Sequence, residues 1–136
     1  LALLYGFIGR YSEAEPLHLQ ALKLRKRLLG ENHPDVATSL NNLAELYGFI
    51  GRYSEAEPLH LQALKLRKRL LGDNHPNVAT SLNNLALLYY STKRYSEAES
   101  LYHQALAICE CTLGVGHPHT MRVRRNYAIF LREAYR

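Results

Sequence analysis

The sequence repeats itself with a period of 42 residues, and this periodicity limits the folds that the chain can adopt. Shifting the sequence by one period places Tyr5 on Tyr47 and Tyr47 on Tyr89. Residues 1–42 and 43–84 differ at only three positions, and the next copy, which starts at Leu85, has diverged further. Such a period is typical of a stacked array, in which each unit buries its apolar face against its neighbours. We therefore predict a repeat architecture.

Each period contains two helical patterns, which we call helix A and helix B. In the copy over residues 37–78, helix A follows the sequence "NHP", and its apolar residues have the three-and-four spacing of one helix face. Gly51 interrupts this pattern. Ser54 and Glu57 then open helix B with the spacing of a capping box. We expect helix B to end near Leu71, where Gly72 can form a left-handed cap.

The residues of these two helices resemble the tetratricopeptide repeat. The stretch "LNNLAELYGFIGRYSEAEPLHLQAL" has the order of large, small and aromatic residues of that repeat, at Leu40, Leu43, Ala44, Tyr47, Gly51, Tyr53, Ala56, His60, Ala63 and Leu64. The usual repeat has about 34 residues. The longer unit resembles the 42-residue repeats of kinesin light chains and related bacterial arrays. The resemblance implies an all-α fold, a right-handed superhelical solenoid of antiparallel helix hairpins.

We predict one array over residues 1–136, with about seven helices and no strands. Its parts are a truncated repeat at 1–36, full repeats at 37–78 and 79–120, and a terminal helix A at 121–136. In the last helix Arg124 replaces Leu40 and Leu82, which the family packs between hairpins. This arginine either gives the array a polar end, as terminal repeats have, or marks a degenerate repeat that continues. We expect the chain to be part of a longer one.

A second, polar face of helix A carries paired asparagines. Asn41 and Asn42 lie on it, although asparagine costs roughly 0.5 kcal/mol relative to alanine within a helix. Asn83 and Asn84 follow one period later, and Asn126 persists although its neighbours have become arginines. A carboxamide both donates and accepts hydrogen bonds, so a column of them can pair with the backbone of an extended peptide. Alternatively, the amides bridge adjacent helices or were simply copied by duplication.

The resemblance implies where a peptide would bind, because in tetratricopeptide repeats this second face lines a concave groove that holds extended peptides. The candidate groove residues are Thr38, Asn41, Asn42, Glu45, Thr80, Asn83, Asn84, Leu87, Arg122, Arg125, Asn126 and Ile129. Apolar residues and arginines in this set favour a protein or peptide partner with an apolar anchor and acidic residues. The kinesin light chain resemblance implies the same kind of partner, a short acidic motif in a cargo protein.

The net charge of +5 does not by itself indicate nucleic-acid binding. The repeated run "KLRKRL" lies at the end of helix B, where cations complement the helix dipole and remain solvated. The repeated tyrosines at Tyr5, Tyr47 and Tyr89 occupy core positions, so they are not available to stack on bases. We therefore do not expect a nucleic-acid partner.

Four potential zinc ligands lie close together in the sequence, at Cys109, Cys111, His117 and His119. We interpret them as structural, because His117 is the repeat's own residue before proline and cysteines two apart on a helix point to different sides. The sequence contains neither a Gly-rich phosphate loop nor a G-x-S-x-G motif, and His60 occupies a core position of the repeat. We expect no metal, no cofactor and no enzymatic activity.

The sequence also bears on location and self-association. No apolar run approaches the roughly 18 residues that a membrane-spanning helix needs. Two cysteines separated by one residue do not suggest a disulfide framework, so we expect a cytoplasmic protein. An architectural module is the alternative to a peptide-binding scaffold. Near-identical repeats expose matching ends, so copies could stack end to end or exchange hairpins as a homo-oligomer.

Overall fold

The computed structural model describes residues 2–135, and side chains from Arg10 onwards except Ser12. These residues form six helices and no strand, which confirms the predicted all-α fold. The helices are α1 (Ala2–Leu29), α2 (Pro34–Phe49), α3 (Tyr53–Leu71), α4 (Pro76–Ser91), α5 (Tyr95–Thr112) and α6 (Pro118–Ala134). Helices α2, α4 and α6 are the predicted A helices, and α3 and α5 are B helices. No described helix is long and apolar enough to cross a membrane.

Helix α1 is continuous where the repeat pattern predicts a truncated helix A followed by a helix B, so the predicted seven helices become six. Residues 43–72 have almost the same sequence as residues 1–30, yet they form the end of α2, a turn and α3. In α2, Val36 and Leu40 are buried and anchor the first half of the helix. Gly9, one period before Gly51, lies within α1, so nearly the same local sequence adopts two conformations in this chain.

The two A-to-B turns have the same geometry although their sequences differ. Gly51 has a φ of +86°, and Lys93, one period later, has a φ of +65°. The backbone amides of Arg52 and Arg94 each donate to the carbonyl of a helix A tyrosine at 2.8 Å. The guanidinium groups of these arginines lie 4.5 and 4.0 Å from the ring centres of the same tyrosines. The predicted break at Gly51 is confirmed, and lysine can occupy its position at some cost in backbone strain.

Repeated side chains fix the start of each A helix. His33, His75 and His117 accept a hydrogen bond at Nδ1 from the backbone amide two residues later, at 3.0 to 3.1 Å. Each precedes a proline in the first helical position, as the sequence suggested. Histidine here replaces the Ser or Asp that usually caps the N-terminus of a helix. The "HP" histidines therefore have a structural role.

The chain divides into two compact units, Leu1–Leu66 and Arg67–Arg136. In the first unit Tyr47 Oη donates to Glu15 at 2.7 Å, and Arg52 pairs with the same carboxylate at 3.1 Å. In the second unit α5 packs against both α4 and α6. Its core contains Tyr102 and Phe130, whose ring centres lie 5.2 Å apart.

Part of the basic run in helix B has a structural function. Arg25 donates to Ser39 Oγ at 2.8 Å within the first unit. Its counterpart Arg67 donates to Ser81 Oγ at 2.9 Å within the second unit. These hydrogen bonds connect the end of one helix B to the next helix A, so the two arginines have a structural role.

Candidate functional site

The polar sides of α4 and α6 lie next to each other in the second unit. Thr80 Oγ1 lies 3.3 Å from His119 Nε2, and Asn126 Nδ2 donates to Asn83 Oδ1 at 3.4 Å. The first contact joins the two A helices near their starts, and the second joins them near their middles. We call the adjoining surface the A face, and in this unit it consists of Thr80, Asn84, Leu87, Arg122, Arg125, Asn126 and Ile129.

The structure places two of the candidate asparagines below the surface. Asn41 is 7% exposed and Asn83 is 8% exposed. Asn41 Nδ2 donates to Glu45 Oε1 at 3.3 Å, whereas Asn83 accepts from Asn126. Both positions lie between the polar face and the apolar stripe of helix A, and Asn83 is covered where α4 meets α6. At α4 and α6 the amides therefore bridge adjacent helices, which is one of the alternatives that the sequence left open.

The other column of asparagines stays at the surface. Asn42 is exposed, whereas Asn84 and Asn126 are half-buried. The threonines near the start of the same faces, Thr38 and Thr80, each donate to the carbonyl four residues earlier at 3.3 Å. Their hydroxyls are thus partly committed to their own helices.

Apolar and positively charged groups flank the amides on the A face. Leu87 is 40% exposed and Ile129, one period later, is half-buried. Arg122 and Arg125 are exposed, and the described residues offer neither of them a hydrogen bond or an ion pair. Burial lowers the pKa of His119, and the positive charge of Arg122 lowers it further. Because its pKa is lowered, His119 is neutral at pH 7, and Arg122 and Arg125 are the charged groups of the A face.

The sequence analysis assigned no catalytic or metal-binding role to His60, Cys109 or Cys111. His60 is buried, as predicted for a core histidine, and burial lowers its pKa to about 4. Cys109 is buried and Cys111 is exposed. Within residues 2–135, no group of three or more His, Cys, Asp or Glu side chains is arranged to hold a metal ion.

The sequence analysis missed two contacts that shape the site. His119 approaches Thr80, and Arg124 pairs with Glu110 at 3.5 Å and donates to the Val115 carbonyl at 3.1 Å. The sequence did distinguish Arg124, because this arginine stands where the previous repeat has the core leucine Leu82. No sequence signal identified His119, because its counterparts Asp35 and Asn77 have other chemistry.

Comparisons with known proteins identify the repeat. A family model for the tetratricopeptide repeat matches residues 1–69 and 51–110. The solved structure of BtubC (BKLC) from P. vanneervenii is 31% identical, with a TM-score of 0.84 over 99% of this chain and 54% of that chain. A putative kinesin light chain from Podosopora anserina, with nearly identical TPR-like repeats, is 29% identical, with a TM-score of 0.83 over 99% of this chain and 64% of that one.

The chain thus spans between half and two thirds of these two structures. No match was found among curated proteins. The family match covers well over half of the chain, and its residues are those from which the repeat was predicted. The chain belongs to the tetratricopeptide repeat family, and its array is of the kinesin-light-chain-like type.

Proposed function

We propose that this chain is an interaction scaffold that binds an extended peptide segment of another protein on the A face of α4 and α6, without chemistry of its own. The tetratricopeptide repeat fold generally serves as a scaffold for protein–protein interaction. The observation that carries the proposal is the pair of contacts that join the two helices, Thr80 to His119 and Asn83 to Asn126. They hold the polar faces of two successive A helices side by side.

The composition of the A face supports an acidic peptide with an apolar anchor. Asn84 and Asn126 offer amides that can pair with peptide N–H and C=O groups. Leu87 and Ile129 present apolar surface one repeat apart, and Arg122 and Arg125 add two positive charges. Charge-assisted hydrogen bonds to carboxylates are stronger than neutral ones, so the arginines would favour Asp and Glu in the partner.

A random-peptide display selection tests this proposal. Peptides that combine acidic residues with an apolar anchor should be enriched on the wild-type chain. The double variant Arg122→Ala/Arg125→Ala should lose the acidic preference and keep its helical circular dichroism spectrum. The control Arg124→Ala removes an arginine from the opposite side of the same helix and should select the same peptides as wild type. Equal selection on all three proteins would refute the proposed site.

A specific observation favours the second candidate function, self-association. Leu24 on α1 is 46% exposed, whereas its counterpart Leu66 on α3 is 6% exposed. Leu17 and Leu28 on α1 are also exposed, so this helix presents an apolar surface that is suited to contact with another copy. Light scattering over a range of concentrations distinguishes the two functions. A mass that rises with concentration and becomes monomeric in Leu17→Glu/Leu24→Glu would support assembly.

We place this interaction in the cytoplasm. Both cysteines are free thiols, and Cys111 is exposed. Free exposed thiols persist in reducing compartments. Fractionation of cells that express the full-length parent protein, with detection in a compartment other than the cytoplasm, would overturn this assignment.

A further inference from the structure

A large aromatic side chain is exposed at the end of α2. Phe49 is 65% exposed, and the centre of its ring lies 5.0 Å from the centre of the Tyr11 ring on α1, at an interplanar angle of 47°. Both residues belong to the first unit, and Tyr11 is half-buried. The contact with Tyr11 covers only part of the Phe49 ring, so an aromatic surface remains open to solvent.

A carboxylate lies one helical turn before this ring, on the same side of α2. Glu45 is exposed and precedes Phe49 by four residues, a spacing that places the two Cβ atoms about 5 to 6 Å apart. Asn41 Nδ2 donates to Glu45 Oε1 at 3.3 Å. A carboxylate has two oxygens, each with more than one acceptor position, so Glu45 can accept further hydrogen bonds. A negative charge and an open aromatic ring are therefore neighbours on α2.

The exposure of these two positions is a property of the repeat. One period later, in α4, the equivalent residues Leu87 and Ser91 are also exposed, although helices precede and follow α4 in the chain. The residues at the two positions differ between copies, and only the copy with α2 combines a carboxylate with an aromatic ring. The other pairs in the sequence are Leu3 with Phe7, Leu87 with Ser91 and Ile129 with Glu133.

The chain itself shows twice what an aromatic ring beside a glutamate binds. The guanidinium group of Arg52 lies 4.5 Å from the ring centre of Tyr47 and pairs with Glu15 at 3.1 Å. The guanidinium group of Arg94 lies 4.0 Å from the ring centre of Tyr89 and pairs at 2.7 Å with the glutamate three residues later. In both cases one planar cation contacts the ring with its face and the carboxylate with its N–H groups.

We propose that Phe49 and Glu45 bind an arginine side chain of a partner peptide, with the guanidinium group on the ring and its N–H groups directed to the carboxylate. Among the described side chains, no arginine lies over the Phe49 ring. Arginine suits this site better than lysine, because its planar group stacks on a ring and can donate two parallel hydrogen bonds to a carboxylate. Asn42 is exposed three residues before Glu45, and its amide can pair with the backbone of the same peptide.

Small-molecule probes test this site directly, because NMR spectroscopy detects weak binding. N-acetyl-arginine amide, added to the isotopically labelled chain, should shift the ring signals of Phe49 and the backbone amide signals of Glu45 and Phe49. N-acetyl-citrulline amide has nearly the same shape without the charge, and it should leave these signals unchanged. N-acetyl-lysine amide should bind more weakly than the arginine compound, since its ammonium group lacks the planar fork.

Two variants from the chain's own repeats test the location. Phe49→Ser and Glu45→Leu introduce the residues that α4 has at these positions, so both changes are compatible with helix A. Each should weaken binding of the arginine compound about two- to fivefold, the size expected of an exposed cation–π contact or ion pair. The control Glu31→Gln removes an exposed carboxylate elsewhere in the first unit and should leave binding unchanged.

Four results would overturn the proposal: no shift with the arginine compound, equal shifts with the citrulline compound, shifts spread over exposed carboxylates throughout the chain, or binding that neither variant weakens. Phe49 signals that move when the free protein is diluted would assign the ring to a second copy instead. The site on α2 contains no residue of the A face and goes beyond the proposed function. Peptide selection on the A face therefore remains an independent test.

Discussion

Lowering the pH should destabilise the first unit through a single buried histidine. His60 is 4% exposed, and its Nδ1 has no hydrogen-bond partner among the described residues. Burial lowers its pKa from 6.5 to about 4. Between these two values the unfolded chain binds a proton that the folded chain does not, so stability falls as the pH falls from 6.5 to about 4. One pKa unit corresponds to about 1.4 kcal/mol, which gives a loss of about 3 kcal/mol.

Urea denaturation at several pH values measures this loss. The variant His60→Tyr introduces the residue that the next repeat has at the same position, Tyr102, which is also buried. Its free energy of unfolding should fall by about 3 kcal/mol less than that of wild type between pH 6.5 and 4. The control His18→Tyr alters the same position of the first repeat, where the side chain is only half-buried, and should keep the wild-type dependence. Identical pH dependence in His60→Tyr and wild type would refute the reasoning.

Three further predictions follow from the turns and the asparagines. Lys93→Gly should stabilise the chain by about 1 kcal/mol, because lysine at a φ of +65° is strained, and the reverse change Gly51→Lys should destabilise it by a similar amount in thermal unfolding. Asn126→Ala should cost about 1 to 3 kcal/mol by leaving a buried amide oxygen without its donor, whereas the exposed Asn42→Ala should have little effect in urea denaturation. Asn84→Ala should weaken binding of a selected peptide by about 1 to 2 kcal/mol in calorimetry with little change in folding, and unchanged affinity would contradict its assignment.

The regular part of the fold could be predicted because each position occurs several times. Leu40, Leu43, Ala44 and Tyr47 have the spacing of a helix face, and all four are buried as predicted. The turn at Gly51 could be predicted because glycine both interrupts the pattern and tolerates a positive φ. Local sequence determines these features, so they do not depend on the rest of the chain.

Features that depend on neighbouring elements could not be predicted. The continuous α1 has almost the same sequence as the end of α2, its turn and α3, so the local sequence alone does not determine whether the helix breaks at this glycine. The asparagine pairs could be placed on one side of helix A, but their burial depends on the adjacent helix. Asn83 is covered and bonded to Asn126, whereas Asn84 retains surface. A helix wheel cannot distinguish two adjacent positions at the border of an interface.

The measurement that tests the central claim most directly is an amide shift map of the isotopically labelled chain, recorded while a peptide from the display selection is added. If the peptide binds as proposed, the perturbed amides will cluster on the A face, around Asn84, Leu87, Asn126 and Ile129. The side-chain amide signals of Asn84 and Asn126 will move with them. Perturbations confined to α1, with unchanged A face signals, would contradict peptide binding between α4 and α6.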